Sequence, residues 1–157
     1  MKKLLILLPC IILSVVVTAQ PKSIGARFGY GIEFTYQHSV GKNFIEADLG
    51  YNYARGFNVT AKYDFVVAKP DWTPKGTWEI YVGPGVFLGT DFNSRPFMFG
   101  ISAQVGLSYT FHFPLQLSAD LMPTASLCVG TPSGVAFNID GLFGFVPTIG
   151  VRYSFGR

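Results

Sequence analysis

The chain has 157 residues, a formal net charge of +3, 49% hydrophobic residues and only 13% charged residues. The charged share is about half that of an average soluble domain, the length suits a single domain, and the small net charge gives no basis for nucleic-acid binding. Aromatic residues reach 16% and glycine is abundant, a mixture that favours strands and tight turns over long helices.

Residues 1–19 have the pattern of a secretory signal peptide. Two lysines after Met1 precede an apolar run over residues 4–17, and Val17-Thr18-Ala19 then supplies a signal-peptidase site. We therefore predict export through the general secretory pathway and cleavage after Ala19. The alternative, a retained membrane anchor, is disfavoured because the run is shorter than the roughly 20 residues of a spanning helix and contains Pro9.

Cleavage would remove Lys2, Lys3 and Cys10 and would leave Cys128 as the one cysteine. We therefore expect a mature net charge of about +1 and no internal disulfide. After residue 19 no stretch approaches the roughly 18 consecutive apolar residues of a membrane helix, so none is predicted.

Beyond the signal, apolar and polar residues alternate with the period of two that is typical of strands. The first such stretch, GARFGYGIEFTYQ, alternates without interruption and is predicted as one strand. In chain order, strands are predicted over residues 25–37, 44–53, 57–65, 77–89, 97–111, 115–129, 135–139 and 145–155. The number of strands is not fixed by the sequence, because residues 123–145 could contain one hairpin more or fewer. Most of these strands reach roughly 9 to 15 residues, which fits a tilted membrane strand of about 9 to 11 residues better than the soluble average of about 5 or 6.

Every charged residue predicted to lie in a strand is on the polar face of that strand. These residues are Arg27, Glu33, Glu46, Asp48, Lys62, Asp64, Glu79, Asp120, Asp140 and Arg152. The other charges, including Lys22 and Lys69, are predicted to lie in loops or at chain ends. A soluble barrel with its apolar face inside would show the same segregation. However, the interior of an eight-stranded barrel is too narrow for Phe and Tyr from every strand, so we expect the apolar face to meet lipid.

Aromatic residues are predicted to gather at strand ends, as the interfacial girdles of membrane barrels require. The candidates are Tyr51, Tyr53, Trp72, Trp78, Tyr109, Tyr153 and Phe155. A closed sheet also satisfies every backbone hydrogen bond internally, as lipid demands. We therefore predict an all-β fold in which residues 20–157 form one eight-stranded antiparallel transmembrane up-and-down β-barrel.

Three stretches, WEIYVGPGVFLG, SAQVGLSYTFHFPLQLSADLMP and IGVRYSF, are similar to the small outer-membrane β-barrel proteins of Bacteroides-type bacteria, which are OmpA/OmpX-like barrels. The resemblance covers most of residues 24–155 and concerns architecture far more than activity. It implies a Gram-negative cell envelope, residence in the cell outer membrane and insertion by the barrel-assembly machinery, which reads the last strand. The surroundings would be outer-membrane lipid and lipopolysaccharide, and we expect a monomer.

The polar face supplies the candidate site, a charge network in the lumen. Its residues are Arg27, Glu33, Glu46, Asp48, Lys62, Asp64, Glu79, Asp120 and Arg152. Buried charge is costly unless it is paired, so we expect the three bases to bridge strands through the surrounding acids. The excess of acids leaves a cation-binding or proton-responsive interior as the alternative. A filled eight-stranded barrel predicts no wide pore.

Two histidines, His38 beside Ser39 and His112 near Ser108, are the candidates for an enzyme. Nucleophilic catalysis also needs an orienting group and an oxyanion site in defined geometry, so we expect no catalytic residue, no cofactor and no metal. The leading hypothesis is an integral outer-membrane protein with a structural or interaction role in the cell envelope. Two alternatives remain: a lipid-modifying outer-membrane enzyme, a hydrolase or transferase that uses His38 or His112, and an exported soluble ligand-binding barrel.

Overall fold

The computed structural model describes residues 21–29, 31–52, 56–92, 97–131, 134–139 and 146–155. The predicted signal peptide lies outside these residues, as do Tyr53, Asp140 and the start of the last predicted strand at Phe145. Export and cleavage after Ala19 therefore stay predictions. Among the described residues, no helix is long and apolar enough to cross a membrane.

The described chain forms strands joined by turns and loops. The strands are β1 (Pro21–Phe28), β2 (Gly31–Val40), β3 (Asn43–Asn52), β4 (Gly56–Ala68), β5 (Thr77–Asp91), β6 (Phe97–Thr110), β7 (Leu115–Leu121), β8 (Thr124–Thr131), β9 (Gly134–Ile139) and β10 (Thr148–Ser154). The longest of them, β5, has 15 residues. The alternation read from the sequence is the pattern that a strand with one polar and one apolar face produces.

These strands close into one antiparallel barrel with eight strand positions. β1 to β6 pair in chain order, and β6 then pairs with β7 along one half of its length and with β8 along the other half. β10 pairs with both β7 and β1, which closes the barrel. β7 and β8 therefore share one position, and β9 and β10 share another. The predicted all-β fold and its eight-stranded antiparallel barrel are confirmed.

The predicted strand over residues 115–129 is interrupted at Met122 and Pro123, which separate β7 from β8. Proline has no backbone N–H and cannot donate to a sheet ladder. The Pro123 carbonyl nevertheless accepts a hydrogen bond of 3.0 Å from Ala103 N, which holds the interruption against β6. The hairpin that the sequence left open is β8–β9.

The prediction of a single strand over residues 25–37 is wrong, because β1 and β2 are joined there by a tight turn. Phe28 pairs directly with Ile32, and Gly29 N donates a 3.2 Å hydrogen bond to the Gly31 carbonyl. Three residues separate Phe28 from Ile32, so odd and even positions keep their faces as the chain reverses. The alternation therefore continues unchanged through the turn. In the sequence the turn is indicated only by Gly29 and Gly31, since glycine suits tight turns.

The strands are strongly tilted relative to the barrel axis. A path that starts at Ala26 in β1 and steps each time to the paired residue of the next strand runs through β2, β3, β4 and β5 to Phe99 in β6. The same path in the other direction runs through β10 and β7 and reaches β6 at Tyr109, ten residues after Phe99. With about 3.3 Å per residue and about 4.8 Å between strands, this shift gives a tilt of about 40°. Such a barrel has an interior that side chains just fill.

The two ends of the barrel hold different connections. We call proximal the end that holds Pro21, Phe155, the turn at residues 41–42, the loop at residues 69–76 and the turn at residues 111–114. The other end, which holds the turn between β1 and β2, is called distal.

Candidate functional site: the charged interior and the aromatic ends

The inner and outer faces of the barrel wall differ in polarity. All of the predicted lumen residues are at most 9% exposed, namely Arg27, Glu33, Glu46, Asp48, Lys62, Asp64, Glu79, Asp120 and Arg152. On the outer face, by contrast, Phe99, Ile101 and Val105 are 38%, 66% and 48% exposed. The structure thus places the predicted lumen charges inside the barrel and most of the large apolar side chains outside it.

Arg27 lies at the centre of the charge network. Its Nη1 lies 3.0 Å from Asp48 Oδ2 and 3.1 Å from Glu33 Oε2. The same atom lies 3.4 Å from Glu46 Oε1, and Nη2 pairs with Asp120. One guanidinium on β1 therefore contacts carboxylates from β2, β3 and β7.

Glu46 and Asp48 connect Arg27 to the other two interior bases. Lys62 Nζ lies 2.7 Å from Glu46 Oε1 and 2.6 Å from Asp48 Oδ2. Arg152 Nη2 lies 3.2 Å from Glu46 Oε2, so Glu46 contacts all three bases. These contacts also oppose any slip of the strands, because a shift by one residue would turn the charges to the outer face.

Uncharged polar side chains that the sequence analysis did not single out complete the network. Arg152 donates hydrogen bonds to Thr35 Oγ1 at 3.2 Å and to Ser118 Oγ at 2.6 Å. Asp120 accepts one from Thr148 Oγ1 at 2.5 Å. All three hydroxyl residues lie on the same faces of their strands as the charges, and this alternation is the signal by which they could have been found.

A second ion-pair group lies near the proximal end of the interior. Glu79 Oε2 lies 2.5 Å from Lys22 Nζ, and Glu79 Oε1 lies 2.9 Å from Lys69 Nζ. The Lys22 ammonium also lies 4.4 Å from the centre of the Phe44 ring. Phe44 in turn packs edge-on against Tyr81, with ring centres 5.2 Å apart. Both rings are buried, so an aromatic pair and a salt bridge fill this end of the lumen.

The prediction that Lys22 lies in a loop or at a chain end is wrong. Lys22 belongs to β1, and the register of β1 against β2 shifts between Pro21 and Ser23. Strict alternation would place Lys22 on the opposite face from Ser23, but a bulge changes which way side chains point. The Lys22 ammonium therefore reaches Glu79, and the alternation pattern alone could not reveal this.

Asp64 is an interior charge that the network does not include. It is fully buried on β4, and neither of its carboxylate oxygens has a hydrogen-bond partner among the described residues. Its side chain extends over Gly83 of β5, where an added Cβ would lie 2.6 Å from Asp64 Oδ1. Asp64 therefore faces the lumen as predicted but lies outside the group of paired charges.

Aromatic side chains form a connected group at the proximal end. The ring centres of Trp72 and Trp78 are 5.3 Å apart, and those of Trp78 and Tyr109 are 4.6 Å apart. Trp78 Nε1 donates a 3.2 Å hydrogen bond to Thr73 Oγ1, and the Tyr109 hydroxyl donates to the Lys75 carbonyl. The rings thus fasten the loop at residues 69–76 to the ends of β5 and β6.

The remaining aromatic candidates are divided between the two ends. Tyr153 and Phe155 lie at the proximal end with ring centres 4.9 Å apart. Tyr51 lies at the distal end and packs against Phe57 at 5.3 Å. Tyr53 is outside the described residues.

The structure does not bring together the predicted pair of His112 and Ser108. Ser108 is buried inside the barrel, whereas His112 is exposed on the turn at residues 111–114. His112 instead lines a proximal pocket of about 240 Å³ together with Ser154. His38 is half-buried on β2, and Ser39 beside it is exposed.

Comparison of the chain with protein-family models, with curated proteins and with solved structures gave no match. Function is therefore inferred from the residues and from the geometry of the barrel.

Proposed function

We propose that this chain is an integral outer-membrane β-barrel protein with a structural or interaction role in the cell envelope, without catalysis and without a wide pore. One observation carries the proposal: the polarity of the wall is the reverse of that of a soluble domain. Arg27 and Glu46 are fully buried at the centre, whereas Ile101 on the outside is 66% exposed.

The exposed apolar surface surrounds the barrel. Every strand position carries at least one large apolar side chain that is more than a third exposed, for example Phe28, Phe34, Leu49, Val59, Val86, Ile101, Leu117 and Val151. Soluble monomers rarely expose a continuous apolar patch of more than a few hundred Å². Full burial of an exposed side chain of this kind gains about 1.5–3 kcal/mol, and these side chains, which are 38–66% exposed, gain about half of that when lipid covers them. A continuous apolar belt is therefore the surface that a lipid bilayer favours.

The aromatic groups at the two ends support the same proposal. Trp72, Trp78 and Tyr109 at the proximal end and Tyr51 at the distal end flank the apolar belt. Tryptophan and tyrosine combine an apolar ring with a polar atom, and membrane proteins place them at the height of the lipid headgroups. The lipid contacts proposed for the barrel are outer-membrane lipid and lipopolysaccharide.

An outer membrane is proposed because its proteins reach it by export and cross it as closed barrels. The signal-like residues 1–19 and the resemblance to small outer-membrane barrels support this location. Insertion would use the barrel-assembly machinery. The interior supports a role without transport of large solutes, because Arg27, Glu46 and Lys62 meet one another across the lumen.

Fractionation of cells that express the full chain tests this proposal. The protein should stay in the membrane pellet after a carbonate wash, dissolve only in detergent, and migrate faster on a gel before boiling than after it. Recovery from the periplasm without detergent would contradict the proposal. That result would support the exported soluble ligand-binding barrel instead.

The proximal pocket favours lipid modification as the second candidate function. The pocket is lined by His112, Tyr153, Ser154 and Phe155, at the end where lipid headgroups are proposed to lie. A change in the lipid profile of membranes from cells that express the His38→Ala, His112→Ala double variant in place of the wild type would support an enzyme. An unchanged profile would support the structural role.

A further inference from the structure

The apolar outer surface is taller on one side of the barrel than on the other. With a tilt of about 40°, each residue along a strand rises about 2.5 Å along the barrel axis, and each step from β5 towards β6 rises about 3 Å. Tyr51 of β3 is aligned through Phe57 of β4 with Thr90 of β5, twelve residues after Trp78 on the same strand. Tyr51 therefore lies about 24 Å above Trp78, which matches the roughly 25 Å height of the apolar belt of a membrane barrel.

The strands β6, β8 and β9 continue beyond this belt. Phe99 of β6 pairs with Leu127 of β8, which pairs in turn with Phe137 of β9. By the same geometry Phe137 lies about 34 Å above Trp78, roughly 10 Å past the level of Tyr51. The turn between β1 and β2, by contrast, lies about 12 Å below Phe137. We call the outer face of β6, β8 and β9 above the level of Tyr51 the distal extension.

The distal extension is apolar and carries no charge. Its large outer side chains are 38–64% exposed, namely Phe97, Phe99, Leu127, Val129, Val135, Phe137 and Ile139. Residues 97–101, 124–131 and 134–139 contain no charged residue. At about 200 Å² for each large side chain, half of it exposed, the seven present about 700 Å² of apolar surface. Soluble surfaces rarely expose a continuous apolar patch of more than a few hundred Å².

A second copy of this chain fits the distal extension. A bilayer whose apolar layer ends at the level of Tyr51 leaves the extension in water, and such hydrophobic mismatch favours association of membrane proteins. Two copies in one membrane hold their extensions at the same height, and a two-fold axis along the membrane normal brings the same patch of each copy face to face. The patch also approaches the roughly 800 Å² that each partner of a standard interface buries.

We propose that the distal extension is a homodimer interface between two copies of the chain in one membrane. Leu127 and Val129 of β8 lie at its centre, flanked by the phenylalanines of β6 on one side and by Phe137 of β9 on the other. Since the patch has no charge, identical faces meet without electrostatic repulsion. The inference rests on the proposed membrane location, and it replaces the monomer expected from the sequence.

Disulfide cross-linking of the full chain in lipid vesicles tests the interface. In a Cys128→Ser background, Leu127→Cys places a thiol at the centre of the extension, and Leu49→Cys places one on β3, four strand positions away. Both leucines point outward and are 38% and 55% exposed, so the two variants are matched. Oxidation by a lipid-soluble oxidant at a high lipid-to-protein ratio should link Leu127→Cys into dimers at least about fivefold more than Leu49→Cys, because an interface raises the effective concentration of the two thiols.

A charge placed in the extension should separate the copies. Phe137→Asp, added to Leu127→Cys, should lower the dimer yield at least about fivefold, because an unpaired carboxylate in an apolar interface is costly. Thr73→Asp adds the same charge to the exposed proximal loop and should leave the yield unchanged. Gel migration before and after boiling confirms that each variant is folded.

Equal dimer yields for Leu127→Cys and Leu49→Cys would overturn the proposal and would mean that lipid or another protein covers the extension. A yield that Phe137→Asp does not change would overturn it as well. A carbonate wash of the same vesicles separates this failure from that of the membrane proposal. Inserted protein without specific cross-links refutes only the dimer, whereas protein released by the wash refutes the membrane location.

Discussion

Replacement of Arg27 by methionine should destabilise the barrel strongly, because it removes the charge at the centre of the interior network. Methionine has a similar length and is apolar, so the change removes the guanidinium while filling much of its space. Glu46 and Asp48 would keep Lys62 as a partner. Glu33 and Asp120 would lose the one base that each contacts among the described residues.

The expected cost follows from these contacts. Breaking a buried ion pair by removing one partner costs about 3–5 kcal/mol, because the other charge is left buried and uncompensated. Asp120 would keep its hydrogen bond from Thr148, which limits the loss. We therefore expect Arg27→Met to lower the free energy of unfolding by about 3–5 kcal/mol. Arg152→Met is the matched control and should cost about 1–3 kcal/mol, because Glu46, its one carboxylate partner among the described residues, keeps Lys62.

Urea unfolding of the protein in lipid vesicles measures this difference, with the fluorescence of Trp72 and Trp78 as the signal and gel migration as a check of folding. Combining Arg27→Met with Asp120→Asn should recover part of the lost stability, because the uncompensated charge is removed together with its partner. A stability of Arg27→Met within about 1 kcal/mol of the wild type, or a larger loss for Arg152→Met, would show that Arg27 is not the main stabilising base of the interior.

Two further substitutions probe the outer face and the packing of the lumen. Val105→Arg should lower the free energy of unfolding in lipid by about 2–4 kcal/mol if that site lies at mid-membrane, whereas Val105→Leu should change it little; a tolerated arginine in a vesicle-unfolding assay would count against a lipid-facing position. Gly106→Ala should cost about 1–3 kcal/mol, because its Cβ would lie 2.4 Å from the Tyr81 ring. Gly89→Ala should lower the free energy of unfolding less in the same assay, because its Cβ would lie 3.1 Å from the nearest atom, the Phe57 carbonyl oxygen. Equal losses for the two variants would show that the lumen repacks freely around Tyr81.

Much of the fold could be predicted from the sequence because a strand places alternate residues on opposite faces. Glu46 and Asp48, for example, lie two residues apart on β3 and therefore share a face, which needs no knowledge of the tertiary structure. The low charge and the many aromatic residues then favoured a barrel with its apolar face outside. Tyr81 lies two residues after Glu79 on β5 and therefore points inward as Glu79 does, although its ring is large and apolar.

Two kinds of feature could not be predicted from the alternation: turns that leave the alternation unchanged, and bulges that break it locally. The turn after Phe28 keeps the alternation and was therefore missed. The bulge next to Ser23 breaks it and brings Lys22 to Glu79. The sequence also could not show which charged residues form ion pairs, because a contact such as that between Arg27 and Asp120 depends on the register and tilt of the closed barrel.

Spin labelling in lipid vesicles tests most directly whether the outer face meets lipid. Labels are attached in a Cys128→Ser background at Val86 and Ile101 on the outer face and at Thr73 in the exposed proximal loop. Collision with oxygen, which dissolves in lipid, is compared with collision with a water-soluble nickel complex. The labels at Val86 and Ile101 should collide often with oxygen and rarely with nickel, whereas the label at Thr73 should do the opposite. Nickel accessibility at Val86 and Ile101 equal to that at Thr73 would show that the outer face meets water.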